Sequence, residues 1–161
     1  MAGALPGAGL GTVAVEAMRL QNGYALAIDA RDWELFRSVF TPDVQADYPH
    51  GVFDGMDAWL GNFIPFHDTC AWTVHEITNH VVGADSQGVW GACYGWIRWT
   101  MKDKPGHLNR AEVLFRDRLR LDGDTWRITR RKLRLLSSQP AVPLPDGFRL
   151  VQSVLDLADW T

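Results

Sequence analysis

Two residues set the chemistry this chain can carry: a carboxylate at position 29 and an imidazole at position 75. Asp29 closes an apolar helical run, within YALAIDARDWELFRSVFTPDVQADY at residues 24–48. A carboxylate at the inner end of a core helix is costly unless something pairs with it. His75 lies in the strand-like run TVHEITNHVV. An Asp that orients a His is the basic unit of general-base catalysis, and the same pair can also be a purely structural hydrogen bond. Strand alternation puts His75, Ile77, Asn79 and Val81 on one face. If that face meets the helices, His75 looks at Asp29.

A third candidate is Arg131. Leu133 and Leu135 share its parity, whereas Trp126 and Ile128 have the opposite one. Two apolar pairs of opposite parity predict a β-bulge near Thr129 and Arg130, which turns Arg131 inward. An inward arginine either neutralises Asp29 or anchors a substrate oxygen. Tyr24 lies on the helix stripe about one turn before Asp29 and can share that oxygen. Asn79, Tyr48, Phe53 and Trp96 are further candidates for contact with a substrate.

Other chemistries lack support. His75 and His80 alternate to opposite faces, so with His67 and Asp68 they do not suggest a metal site. No GxSxG, GxGxxG or phosphate-binding loop occurs, and no cofactor is expected. Cys70 and Cys93 are isolated thiols without CxxC spacing, which points to a reduced, cytoplasmic protein. Neither has an electropositive setting for a nucleophile.

The elements that must position these residues follow from periodicity. A first helix is expected from an N-cap at Thr12 to about Ala30, with Val13, Ala17, Leu20, Tyr24, Ala27 and Ile28 as its buried stripe. Asp32 caps a second helix, Trp33 to Phe40, and Pro42 stops it. Residues 44–48 and 52–53 form a hairpin through Pro49, His50 and Gly51. Met56 to about His67 is a third helix, disturbed by Gly61 and Pro65. The period then changes to two, with strands near 72–83, 88–102, 110–121 and 125–136. Lys102 to Asn109 reads as a loop, 137–147 as a proline-rich irregular arm and 148–161 as a weak amphipathic helix or tail. Helices followed by long antiparallel strands give an α+β fold: a curved mixed sheet wrapped around about three helices, with a central pocket. The expected organisation is a leader at 1–11, one domain at 12–138 and an arm at 139–161.

Composition agrees with one globular domain of 161 residues, 47% hydrophobic and 22% charged. The net charge of −3 argues against nucleic acid, and no apolar run approaches the ~20 residues that span a bilayer. The eight tryptophans suit a flat apolar ligand, a core or an interface. On strand 88–102 apolar residues occur at both parities: Trp90, Tyr94 and Trp96 against Val89, Cys93, Ile97, Trp99 and Met101. A strand apolar on both sides is buried on both sides. A homo-oligomer is therefore expected.

Three segments in order, YALAIDARDWELFRSVFTPDV, HEITNHVV and FRDRLRLDGDTWRITRRKLRLL, resemble the SnoaL-like proteins. These belong to the superfamily of nuclear transport factor 2, ketosteroid isomerase and scytalone dehydratase. The resemblance covers roughly residues 12–138 and implies an α+β cone. Its nearest branch holds scytalone dehydratase, bile-acid 7α-dehydratase and hexachlorocyclohexane dehydrochlorinase. That branch has an Asp on the first helix, a His on the third strand and usually an inward Arg on the last. Asp29, His75 and Arg131 match them, and Tyr24 matches a tyrosine of the bile-acid enzyme. The dehydrochlorinase has a lysine where Tyr24 stands. The second histidine of scytalone dehydratase and the acidic base of ketosteroid isomerase have no matched counterpart. The implied activity is a cofactor-independent dehydratase acting on a hydrophobic cyclic or polycyclic small molecule. A polyketide-type isomerase or cyclase, or a noncatalytic binder, are the alternatives. The resemblance also implies a trimer, with a dimer as alternative.

Overall fold

The computed structural model describes residues 10–148 and 150. Helix α1 (Gly11–Ala30) is followed by α2 (Trp33–Val39), the hairpin β1 (Phe40–Tyr48) and β2 (Gly51–Asp54), and α3 (Met56–Thr69). Four long strands complete the fold: β3 (Cys70–Asp85), β4 (Gly88–Met101), β5 (Lys104–Asp122) and β6 (Thr125–Pro143). The sheet order is β2-β1-β6-β5-β4-β3, with β1 and β6 parallel and every other pair antiparallel. Three helices against a six-stranded mixed sheet is the expected α+β architecture.

The core is aromatic where the helices meet the sheet. Phe36, Phe40, Trp59 and Phe115 are fully buried, and Phe40 and Trp59 lie 4.9 Å apart edge to face. Burying each such ring stabilises the fold by roughly 1.5–3 kcal/mol. Asp32 caps α2 as expected, its Oδ1 accepting from the Leu35 amide at 2.8 Å. Helix α1 starts differently. Thr12 lies inside it, and the N-cap position is Leu10, whose side chain offers no acceptor.

The loop expected at Lys102 to Asn109 shrinks to a tight turn, because β5 already begins at Lys104. The irregular arm expected at 137–147 is mostly strand. β6 runs on to Pro143 beside the start of β5, with Arg110 opposite Gln139 and His107 opposite Pro143. Prolines are tolerated there because β6 pairs with β1 only as far as Lys132, and its other edge needs no further N–H donors. The boundary expected near residue 138 therefore falls within a strand. The leader, except Leu10 and Gly11, and the helix or tail expected beyond 148 lie outside the described residues, apart from Leu150.

Two bulges decide which side chains face inward. In β6, Ile128 pairs with Leu119 and Arg130 with Arg118, so Thr129 is the extra residue. That is the expected bulge, and it buries Arg131 completely. In β3 the register shifts between Thr78 and Val81, around an Asn79 with φ 55°. This second bulge was not expected. It moves Val82 rather than Val81 into the core, and it brings His80 to the same side of the sheet as His75.

Candidate active site

Asp29 stands in the last turn of α1, where the helix dipole disfavours a negative charge. Donors from β3 compensate. Asp29 Oδ2 accepts the His75 backbone N–H at 2.7 Å, while Oδ1 receives His75 Nδ1 at 2.7 Å and the Thr73 hydroxyl at 2.8 Å. The two side chains are 4% (His75) and 7% (Asp29) exposed, enough burial to make the pair strong and little hydrated. A carboxylate can only accept, so His75 Nδ1 carries the proton. In the neutral ring the lone pair is then on Nε2. The expected Asp29–His75 dyad is formed.

Tyr24 and Tyr48 form a second polar pair, with their hydroxyl oxygens 3.0 Å apart. Burial raises Tyr24 to about 12, against the pull of the Arg131 charge, and raises Tyr48 well above the usual tyrosine range. Both are neutral hydroxyls near pH 7; one proton is used between them, which leaves the pair one to donate to an oxygen that gains charge. The Tyr24 and His75 rings stand edge to face at 6.3 Å.

Arg131 has a different place from the one expected. Its Nε and Nη2 both donate to Asp117, each at 2.8 Å, and neither side chain is exposed. Burial alone would lower the guanidinium, but Asp117 outweighs it and holds the group above its ordinary range. The guanidinium carbon lies 4.1 Å over the Tyr24 ring and 4.8 Å over that of Phe115. Arg131 thus balances Asp117, not Asp29. It is not among the residues of the cavity wall, and its charge reaches that wall through Tyr24 and Tyr48. Gln21 on α1 supports the pair, its amide donating to Asp117 Oδ2 at 3.0 Å and accepting from His80 at 2.7 Å. A Cβ at Gly91 would lie 3.0 Å from that amide nitrogen, a tight contact that the glycine avoids.

His75 and the two tyrosines open on one cavity of about 530 Å³, with Asp29 behind His75. Its walls are mainly apolar, with Phe63, Ile97, Trp99, Val113 and Leu133 prominent. His67, in the last turn of α3, also lines it. Its Nδ1 donates to the Phe63 carbonyl at 2.7 Å, and burial lowers it to about 4. His67 is therefore a neutral ring whose remaining nitrogen accepts. Sequence reading treated it only as a weak metal candidate. The signal available was its place four residues after Phe63 on the buried stripe of α3.

Three expected contacts fall elsewhere. Asn79 is exposed at the β3 bulge, because the left-handed residue turns out of the strand's alternation. Phe53 lies on β2 against His50, outside the cavity wall. Trp96 is 54% exposed, because Ile97 and Trp99 take the inward parity of β4. Thr73, Arg31, Asp117 and Gln21 were missed: Thr73 and Asp117 are short polar residues on strands, Gln21 is a polar residue among the apolar stripe of α1, and Arg31 lies just beyond that helix, so none carries a periodic signal.

The SnoaL-like domain model matches residues 14–132, most of the chain, including Tyr24, Asp29, Tyr48, His67, His75 and Arg131. The chain belongs to the SnoaL-like family. No protein of curated function matches this SnoaL-like chain in sequence. Solved structures do match it in shape. A proposed scytalone dehydratase from Novosphingobium aromaticivorans DSM 12444 superposes with a TM-score of 0.72 at 16% identity, over 86% of this chain and 96% of that one. The hexachlorocyclohexane dehydrochlorinase LinA-type3 from Novosphingobium barchaimii LL02 gives 0.70 at 14% identity, over 87% and 94%. A LinA type 2 dehydrochlorinase gives 0.72 at 13%, over 85% and 96%. At these identities the likeness speaks for a shared fold.

Proposed function

We propose that this SnoaL-like protein is a cofactor-independent lyase, a dehydratase of a hydrophobic cyclic or polycyclic substrate. The observation that carries this reading is the Asp29–His75 contact on the wall of a mainly apolar cavity that also holds the Tyr24–Tyr48 pair. His75 Nε2 takes a proton from carbon next to a carbonyl. Asp29 steadies the imidazolium that forms. The electron pair moves toward the carbonyl oxygen, to which the Tyr24–Tyr48 pair donates the one hydroxyl proton not used between the two rings. The electrons then return to expel a β-hydroxyl, which leaves as water with the proton held by His75. His67 has its one proton committed to Phe63, so it accepts from a substrate hydroxyl and does not protonate the leaving group. The likeness in fold to a proposed dehydratase and to dehydrochlorinases supports a proton abstraction of this kind.

The same commitment of His67 favours a second reading. Without a separate acid, His75 can return its proton to another carbon of the substrate, which makes the protein an isomerase or a polyketide-type cyclase. Mass spectrometry after incubation with cyclic β-hydroxyketones separates the two. A product lighter by one water supports the dehydratase, and an isobaric product supports the isomerase. A noncatalytic binder would leave every substrate unchanged.

We also propose a homo-oligomer, a trimer before a dimer. Tyr94 is 42% and Trp96 54% exposed on the outward side of β4, more flat apolar surface than a lone chain gains from showing. A cytoplasmic location is proposed on the two free thiols, Cys70 and Cys93.

A further inference from the structure

The donors behind Asp29 form a chain whose polarity is fixed at both ends. Arg31 follows α1 with φ 59°, a left-handed position that turns its side chain back over the last turn. Its Nη1 donates to the Ile28 carbonyl and, at 2.8 Å, to Thr73 Oγ1. A guanidinium can only donate and a carboxylate can only accept. The Thr73 hydroxyl must therefore send its proton to Asp29 Oδ1, at 2.8 Å. The direction runs from Arg31 to Thr73 to Asp29, and His75 Nδ1 arrives at the same oxygen from the other side.

This arrangement has a chemical consequence. A carboxylate paired with only one imidazole N–H favours the imidazolium, and a protonated imidazole cannot act as a base. A second donor on the same oxygen, itself polarised by a cation, takes up part of that negative charge. Thr73 is 2% exposed, so the bond is shielded from solvent. The other titratable groups around the ring are Tyr24 on α1 and His67 on α3, with Asp68 and Cys70 acting on Arg31.

We propose that Thr73 and Arg31 are positioning residues that divert charge of Asp29 away from His75 and so keep the imidazole neutral and able to accept a proton. The proposal rests on His75 being the base, but the titration that tests it needs no substrate; turnover enters only to separate it from the base assignment. NMR titration of the histidine rings in the full-length protein reads the midpoint at which His75 takes up its second proton. Thr73→Val removes the hydroxyl at nearly constant volume, and the midpoint should rise by about one unit. Arg31→Asn keeps a residue that tolerates the left-handed backbone and removes the cation, so the midpoint should rise again in the same direction. Thr73→Ser keeps the hydroxyl and should leave it unmoved. Unchanged midpoints in both Thr73→Val and Arg31→Asn overturn the proposal, as does a Thr73→Ser that behaves like Thr73→Val. If the midpoints move as expected while His75→Ala still turns substrate over, the charge relay stands and the base assignment falls.

Discussion

Arg131 and Asp117 face each other across neighbouring strands as a two-point ion pair with no exposed surface on either side chain. Removing one partner strands the other as a buried charge. Asp117→Asn should therefore cost roughly 3–5 kcal/mol, seen as a large drop in thermal midpoint. Arg131→Lys loses the planar fork and should also melt early. An Arg131→Lys variant that melts like the parent but turns over poorly would instead make Arg131 a direct substrate anchor.

The tyrosine pair is expected to act on the transition state. Tyr24→Phe and Tyr48→Phe each remove a donor, and each should lower kcat by about 10²–10³ with a smaller change in KM. The double variant should lose less than the product of the two, since the hydroxyls work as one pair at 3.0 Å. Steady-state kinetics on the first substrate found would check this.

His67 ties stability to pH. Its folded value is depressed to about 4 from an ordinary 6.5, chiefly by burial. The unfolded chain then binds its proton first as pH falls. Stability from this group is complete above about 6.5, declines from there to about 4 and is gone below that, a loss of roughly 3 kcal/mol. Chemical denaturation at pH 7 and pH 4.5 should show a smaller gap between the two in His67→Gln than in the parent. An equal gap would mean that His67 is not the group responsible.

The outward aromatics of β4 should hold copies together. Trp96→Glu should lower the mass found by light scattering toward the 18.1 kDa of one chain. A parent already at that mass would show that Tyr94 and Trp96 face solvent for another reason.

Much of this arrangement was legible in the sequence because it follows from period. The stripe of α1 puts Tyr24 and Asp29 toward the sheet, the alternation of β3 brings His75 to meet them, and the parity break in β6 exposes its bulge. The β3 bulge was not legible. Asn79 tolerates a left-handed backbone, but nothing around it marks a change of parity, so Asn79 and His80 were assigned to the wrong faces. Asp117 was hidden between Arg116 and Arg118, where an acidic residue reads as part of a solvated face. Only the inward turn of Arg131 beside it reveals that Asp117 is buried. Trp96 and Phe53 were chosen for ring type, and ring type does not fix the face.

The central claim is that His75 removes a proton from carbon. Deuterium uptake tests it without knowledge of the natural substrate. A panel of uncharged aromatic and polycyclic ketones is incubated with the protein in heavy water, and exchange beside the carbonyl is followed by NMR. The parent should accelerate exchange for at least one ketone, and His75→Ala, folded to the same melting point, should lose that acceleration by about 10²–10⁴. Equal exchange in parent and His75→Ala would contradict the account.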